Sequence, residues 1–195
     1  MDPIRTERLR LRRFDTGDAD NLLALHNDPL VMRWINGGEA TPRTVIGGRT
    51  LPAFIADNQE HTWGGFHAAE DPVTGAFLGW FSLSRPDADE TQCSLGYRLA
   101  RSAWGRGLAT EGAVTLLGLA FATTALERVT ATTYQENLGS RRVLDKLGFE
   151  LVRRFRPSVG DLLDSKTAHT GSANVWDGDE LEYALARSMW QSRRA

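Results

Sequence analysis

One segment constrains this chain more than any other: Trp104-Gly105-Arg106-Gly107-Leu108-Ala109-Thr110, set between a strand-like run at 92–99 and a helix-like run that starts near Ala109. In the first run Leu95, Tyr97 and Leu99 alternate onto one face, the period of a β-strand. Beyond the loop, Ala109, Ala113, Leu116, Leu117, Ala120 and Phe121 keep the spacing of a helix with one apolar side, ending near Thr124. A loop that leaves a strand and opens a helix gathers unpaired backbone N–H groups at the positive end of the helix dipole, which makes an anion site. Gly105 and Gly107 let the backbone approach that anion closely. The glycines taken alone permit no more than a tight turn, so the neighbouring residues decide.

Two phosphate-binding patterns fail on those neighbours. The run 107–112 has Walker A spacing, but Ala113 and Val114 stand where Lys and Ser/Thr belong. Thr110 replaces the third glycine of a dinucleotide fingerprint, and the loop follows antiparallel signals in mid-chain. Charge narrows the partners further: 23 basic and 25 acidic residues give a net charge of −2, with no broad positive field for nucleic acid or an anionic membrane. No run approaches the ~18 apolar residues of a membrane span, and the N-terminus lacks an apolar signal region. Cys93 is the single cysteine, which excludes an internal disulfide and fits a reducing, cytoplasmic setting. His26, His61, His67 and His169 have no metal-ligand spacing, so no metal is expected.

At 195 residues the chain suits one domain spanning 1–195. Alternation at 8–12 predicts a first strand, and leucines after Asp18 predict a helix with Asp15, Thr16 or Asp18 as its cap. Thr41-Pro42 looks like a helix start, while Gly47, Gly48 and Pro52 predict two short helices or a kinked one before Asn58. Residues 63–69 and 77–84 flank the turn-like Asp71-Pro72-Val73-Thr74-Gly75 and read as a hairpin. A β-branched run at 128–134 predicts a strand. A helix over 138–147 follows, closed by Gly148 in a left-handed conformation. Late strands are expected at 150–157 and 180–185, separated by a long loop over 158–179.

Glu7-Arg8-Leu9-Arg10-Leu11-Arg12, Asp28-Pro29-Leu30-Val31-Met32, Leu95-Gly96-Tyr97, the glycine loop with Glu111, Asn137-Leu138-Gly139-Ser140 and Leu147-Gly148-Phe149-Glu150 together resemble the GNAT acetyltransferase superfamily. Within it they are similar to the ribosomal-protein N-terminal (RimJ/RimL-like) branch. The resemblance covers most of the chain to about Phe155. It implies an α/β (α+β) fold with a mixed, mainly antiparallel sheet, helices on both faces, and a splay between the fourth and fifth strands, near Leu99 and Tyr134. It implies acetyl-coenzyme A as donor, its pyrophosphate on the amides of Trp104 through Thr110. Its pantetheine would lie along Tyr97 and Leu99 and bond Asn137. Trp104 departs from the family's Gln/Arg.

The reaction implied is direct transfer of acetyl to a primary amine, on a protein N-terminus or a small molecule. It needs a neutral amine, a polarised thioester carbonyl and a proton for the departing thiolate. The resemblance offers a backbone N–H near Leu99 for the carbonyl and Ser140 for the acid. Tyr134 is the alternative acid. Ser140 also reads as a helix-start serine bonding backbone N–H groups. Glu111 matches a family glutamate but equally stabilises the start of a helix. Ser94 stands where many relatives carry a glutamate, leaving Asp161, Asp164, His169 or a water chain as routes for the amine proton. That gap also motivates the alternative of a non-catalytic coenzyme A sensor. Cys93 reads as a small buried hydrophobe before it reads as a covalent acyl carrier. Trp34, Trp63 and Trp80 are candidates to line an acceptor groove, tryptophan being equally at home in a core. A homodimer fits the habits of enzymes this size.

Overall fold

A computed structural model describes residues 2–60, 64–85, 89, 91–156 and 178–193. Eight strands form one sheet in the order β1-β2-β3-β4-β5-β6-β8-β7. A short β1 (Ile4–Arg5) pairs antiparallel with β2 (Arg10–Arg13), so the expected strand at 8–12 begins two residues late and leaves Arg8 in the connecting turn. Next come α1 (Ala19–His26) and α2 (Pro29–Asn36). Asp28 caps α2 by accepting a bond from the Leu30 N–H at 3.0 Å, with Pro29 in the first turn, where no N–H is required.

The double-glycine stretch departs from expectation. Helix α3 (Arg43–Val45), a π-turn over Ile46–Thr50 and α4 (Leu51–Glu60) follow one another without a break. Gly47 and Gly48 widen the helix locally, and Pro52 falls where the hydrogen-bond register changes, so its missing N–H interrupts little. Thr41 does not cap α3: its hydroxyl is buried without a hydrogen bond, and the N-cap position belongs to Pro42.

The hairpin of β3 (Gly65–Glu70) and β4 (Phe77–Ser84) forms as read, with an irregularity beside its turn. Glu70 pairs with Phe77 but Ala69 pairs with Gly79, so Leu78 is an extra residue on β4. Such a bulge resets the alternation of faces. Leu78, Phe81 and Leu83 consequently face one core while Phe77 and Trp80 face the other. The larger core packs α5 (Leu108–Thr123) and α6 (Leu138–Leu147) against the sheet. The smaller packs α1, α2 and α4 on the opposite face.

β5 (Gln92–Leu99) lies antiparallel to β4, whereas its contact with β6 (Arg128–Tyr134) is parallel and brief. Only Gln92, Cys93 and Ser94 pair, with Arg128, Val129 and Thr130. Past Ser94 the strands separate. This is the expected splay, between β5 and β6 because the short β1 adds one to the count. β8 (Glu180–Ala186) pairs with all of β6, β7 (Glu150–Phe155) forms the edge, and α7 (Arg187–Ser192) brings Trp190 onto Phe121 at 5.9 Å between ring centres. Gly148 closes α6 with φ 86°, as expected. The sequence reading assigned neither β1, α2 nor α7. No helix among the described residues is long and apolar enough to cross a membrane.

Candidate active site

The splay opens into a cleft of about 630 Å³ whose walls are α2, the end of β5, the glycine loop and one side of α6. The backbone of β5 sets its chemistry. The Ala100 N–H donates to the Leu78 carbonyl at 3.0 Å. A Cβ at Gly79, which has φ 131°, would collide with the Arg98 carbonyl and sit 2.7 Å from Leu99 Cα. Even-numbered backbone groups therefore face β4, and by alternation those of Tyr97 and Leu99 face the cleft. The Leu99 carbonyl is already taken, by the Trp104 indole N–H at 2.8 Å. Trp104 thus contributes a side-chain tether between strand and loop, which the departure from Gln/Arg did not foretell.

Gly105 and Gly107 adopt left-handed φ values of 69° and 78°, with no atom within 4 Å of where a Gly105 Cβ would lie. Gly107 is the N-cap of α5, so Leu108, Ala109 and Thr110 supply first-turn N–H groups at the cleft. Arg106 lies outside the lining, and its carbonyl accepts from Arg8 Nη1 at 2.8 Å. Glu111, one turn into α5, has both carboxylate oxygens engaged. Oε1 accepts from the Thr6 hydroxyl and from the Arg8 backbone N–H at 2.9 Å; Oε2 accepts from Arg8 Nε at 2.7 Å and Nη2 at 2.6 Å. These partners overcome the effect of burial and hold the Glu111 carboxyl below the usual glutamate range. The loop is thereby clamped to the β1–β2 turn.

Ser140 lies on the α6 wall, its hydroxyl 2.9 Å from the Tyr97 hydroxyl, which also donates to the Ser140 carbonyl at 3.3 Å. Burial pushes the Tyr97 phenol up to about 12 despite the Ser140 bond, so it stays protonated at neutral pH. Asn137 caps α6 by accepting from the Ser140 N–H at 3.2 Å. Tyr134 does not line the cleft: burial and the adjacent Glu180 carboxylate, to which its hydroxyl donates, push it up to about 12. The Tyr97–Ser140 pair escaped the sequence reading, which assigned Tyr97 only to the donor strand. Forty-three positions separate the partners.

On the opposite wall α2 contributes Trp34, along with Leu30, Val31 and Ile35. Trp80 is not a groove residue: it is 5% exposed and packs against Phe54 and Phe66 at 5.5 and 5.4 Å between ring centres, on the face to which the β4 bulge assigns it. Trp63, His61, Asp161, Asp164 and His169 lie outside the described residues, as does most of the long loop. Cys93 is fully buried and its thiol is pushed up to about 12 by that burial, which leaves no thiolate to carry an acyl group. Among the described residues no cluster of His, Cys, Asp and Glu is arranged to hold a metal ion.

Residues 8–150 match the model of the acetyltransferase (GNAT) domain, and the chain belongs to that family. It is an acyltransferase enzyme of the N-acetyltransferase type. An uncharacterized N-acetyltransferase, p20 of Bacillus licheniformis, is 29% identical over 168 residues, 84% of this chain and 93% of its own. The crystal structure of a GNAT-family acetyltransferase from Bacillus anthracis superposes with a TM-score of 0.74 at 22% identity, covering 95% of this chain and 99% of its own. RimL, a ribosomal L7/L12 alpha-N-protein acetyltransferase solved with coenzyme A, gives a TM-score of 0.74 at 16% identity, covering 96% and 99%.

Proposed function

We propose that this enzyme binds acetyl-coenzyme A in the splay between β5 and β6 and transfers its acetyl group directly to a primary amine. The observation that carries this reading is one convergence: the backbone edge of β5 left open at Tyr97 and at the Leu99 N–H meets the α5 N-terminus within a single cleft. Those groups suit the donor chemically. First-turn amides behind two left-handed glycines fit a pyrophosphate, and an unpaired strand edge fits the two amides of pantetheine. Asn137 stands at the mouth of α6, beside the same edge. When bound, the donor supplies an acyl group activated as a thioester.

The chain's own residues do the rest. The Leu99 N–H, facing the cleft, polarises the acyl carbonyl. The Ser140 hydroxyl donates a proton to the departing sulfur and is reprotonated through Tyr97, whose high pKa keeps it in the donor form; water in the cleft takes up the proton the attacking amine loses and returns one to Tyr97. Glu111 acts at a distance, by holding the loop through Arg8 and Thr6. The order of motifs and the RimL likeness support the RimJ/RimL-like side of the family. Calorimetry of acetyl-coenzyme A against the folded chain tests the donor half, with binding expected. Thiol release across a panel of primary amines tests transfer. A chain that binds coenzyme A but never releases thiol would favour a sensor.

A further inference from the structure

Arg98 is the feature that acetyl transfer leaves unexplained. It sits on β5 directly opposite Trp80 of β4, and its side chain lies on the α1–α2 face, with the guanidinium 5.3 Å from the Trp80 ring centre. It is 8% exposed and lines the cleft. Nη1 donates to His26 Nε2 at 2.8 Å, which leaves the imidazole proton on Nδ1. Its Nε has no hydrogen-bond partner, and among the described residues no carboxylate pairs with the cation. Burial alone pushes Arg98 down to about 10, so it remains charged at neutral pH. A buried guanidinium held by a neutral imidazole and an indole face is an uncompensated charge, a costly arrangement unless an anion joins it.

The place of that charge indicates which anion. Tyr97 and Ser140, the groups assigned to the departing sulfur, lie on the other face of β5. Arg98 therefore faces the side from which an amine would attack. The charged residues lining the cleft, among the described residues, are the cations Arg98, Arg142 and Lys146 and the single carboxylate Glu136. A polycationic amine finds little there to hold it. The α2 wall adds Leu30 and Ile35, 47% and 40% exposed, beside Trp34. We infer that Arg98 is a specificity-determining residue which receives a carboxylate carried by the acceptor amine, so that the enzyme selects amines bearing an acid group on an otherwise apolar body. The inference rests on the acetyl-transfer reading of the cleft.

The test compares matched acceptors by kcat/KM: L-phenylalanine against phenethylamine for an α-carboxylate, and the dipeptide amide Ala-Glu-NH2 against Ala-Gln-NH2 for a side-chain carboxylate. In at least one pair the acid form is expected to be preferred by about 20-fold or more. In Arg98→Gln that preference should collapse to within about threefold, and Arg98→Lys should recover part of it. Loss of the preference together with intact donor binding by calorimetry separates recognition from misfolding. Should the buried substitutions fail to fold, the wild-type preference decides alone. Preference within threefold in both pairs, or a chain that binds acetyl-coenzyme A but acetylates none of the four, overturns the carboxylate inference. Absence of acetyl-coenzyme A binding overturns the donor reading beneath it.

Discussion

Glu111, behind the glycine loop, and Arg98, on the lining of the cleft, are supported in opposite ways. The Glu111 carboxylate has both oxygens filled by Thr6 and Arg8, and it braces a loop whose ligand-facing groups are backbone amides. Arg98 is buried more deeply, yet it is held by a neutral ring nitrogen and an aromatic face, with an Nε left over. A charge that is fully matched inside the protein maintains shape. A charge left unmatched at a cleft is available to a ligand. On the proposed reading the donor wall is thus built from main-chain geometry locked by side chains, and the acceptor wall from side chains themselves.

The largest expected effect tests whether chemistry belongs to the donor wall. Ser140→Ala should lower kcat by roughly 10²–10⁴-fold with little change in acetyl-coenzyme A affinity. Tyr97→Phe should fall in the same range, and the double variant should be barely worse than either single, as expected of one proton path. Additive losses would separate the two hydroxyls. The next effect belongs to the sheet face on the α5 side, where His67 lies opposite Phe81. Burial, aided by the Arg13 charge, pushes His67 down to about 4 and keeps it neutral when folded. The unfolded chain takes up a proton near pH 6.5 that the folded chain refuses, so stability is full above that pH and is lost as pH falls toward 4. The loss reaches about 3 kcal/mol. Denaturant melts at several pH values should show it, and His67→Gln should flatten the dependence.

Two smaller effects return to the loop. A side chain at Gly107 has space but must adopt φ 78°, a strain of about 1–3 kcal/mol. Gly107→Ala should therefore raise the donor dissociation constant by about tenfold, measured by calorimetry. Glu111→Gln removes the ion pair to a half-exposed Arg8 and should raise the donor KM by about two- to fivefold, with the loss falling on KM and not on kcat. A large kcat loss would return Glu111 to the chemistry.

The geometry of the glycine loop was legible because its features are local. Gly105 and Gly107 lie beside the helix they open, and Asn137 lies three residues from the N–H it caps. The surroundings of Arg98 were hidden because its contacts are distant in sequence. His26 and Arg98 are 72 positions apart, and no periodic pattern marks either as a partner. Trp80 shows the same limit differently. Its aromatic character suits a groove or a core, and the choice between faces fell to one extra residue, Leu78, in a bulge that alternation does not anticipate. Gly47 and Gly48 read as a break because local propensity disfavours them in a helix. Packing of Ile46, Leu51 and Phe54 into the smaller core carries the helix through, at the cost of one wide turn.

The open edge of β5 has a consequence for how such enzymes diverge. Peptide groups are common to nearly every residue, so a ligand gripped by the main chain of a strand and a helix start imposes few demands on the side chains around it. Drift can then rewrite either face of the strand while the grip persists. A protein with 16% of its residues in common with this chain can accordingly keep its architecture to a TM-score of 0.74. On this view the acceptor face is where lineages become individuals, and Arg98 is one letter of that signature.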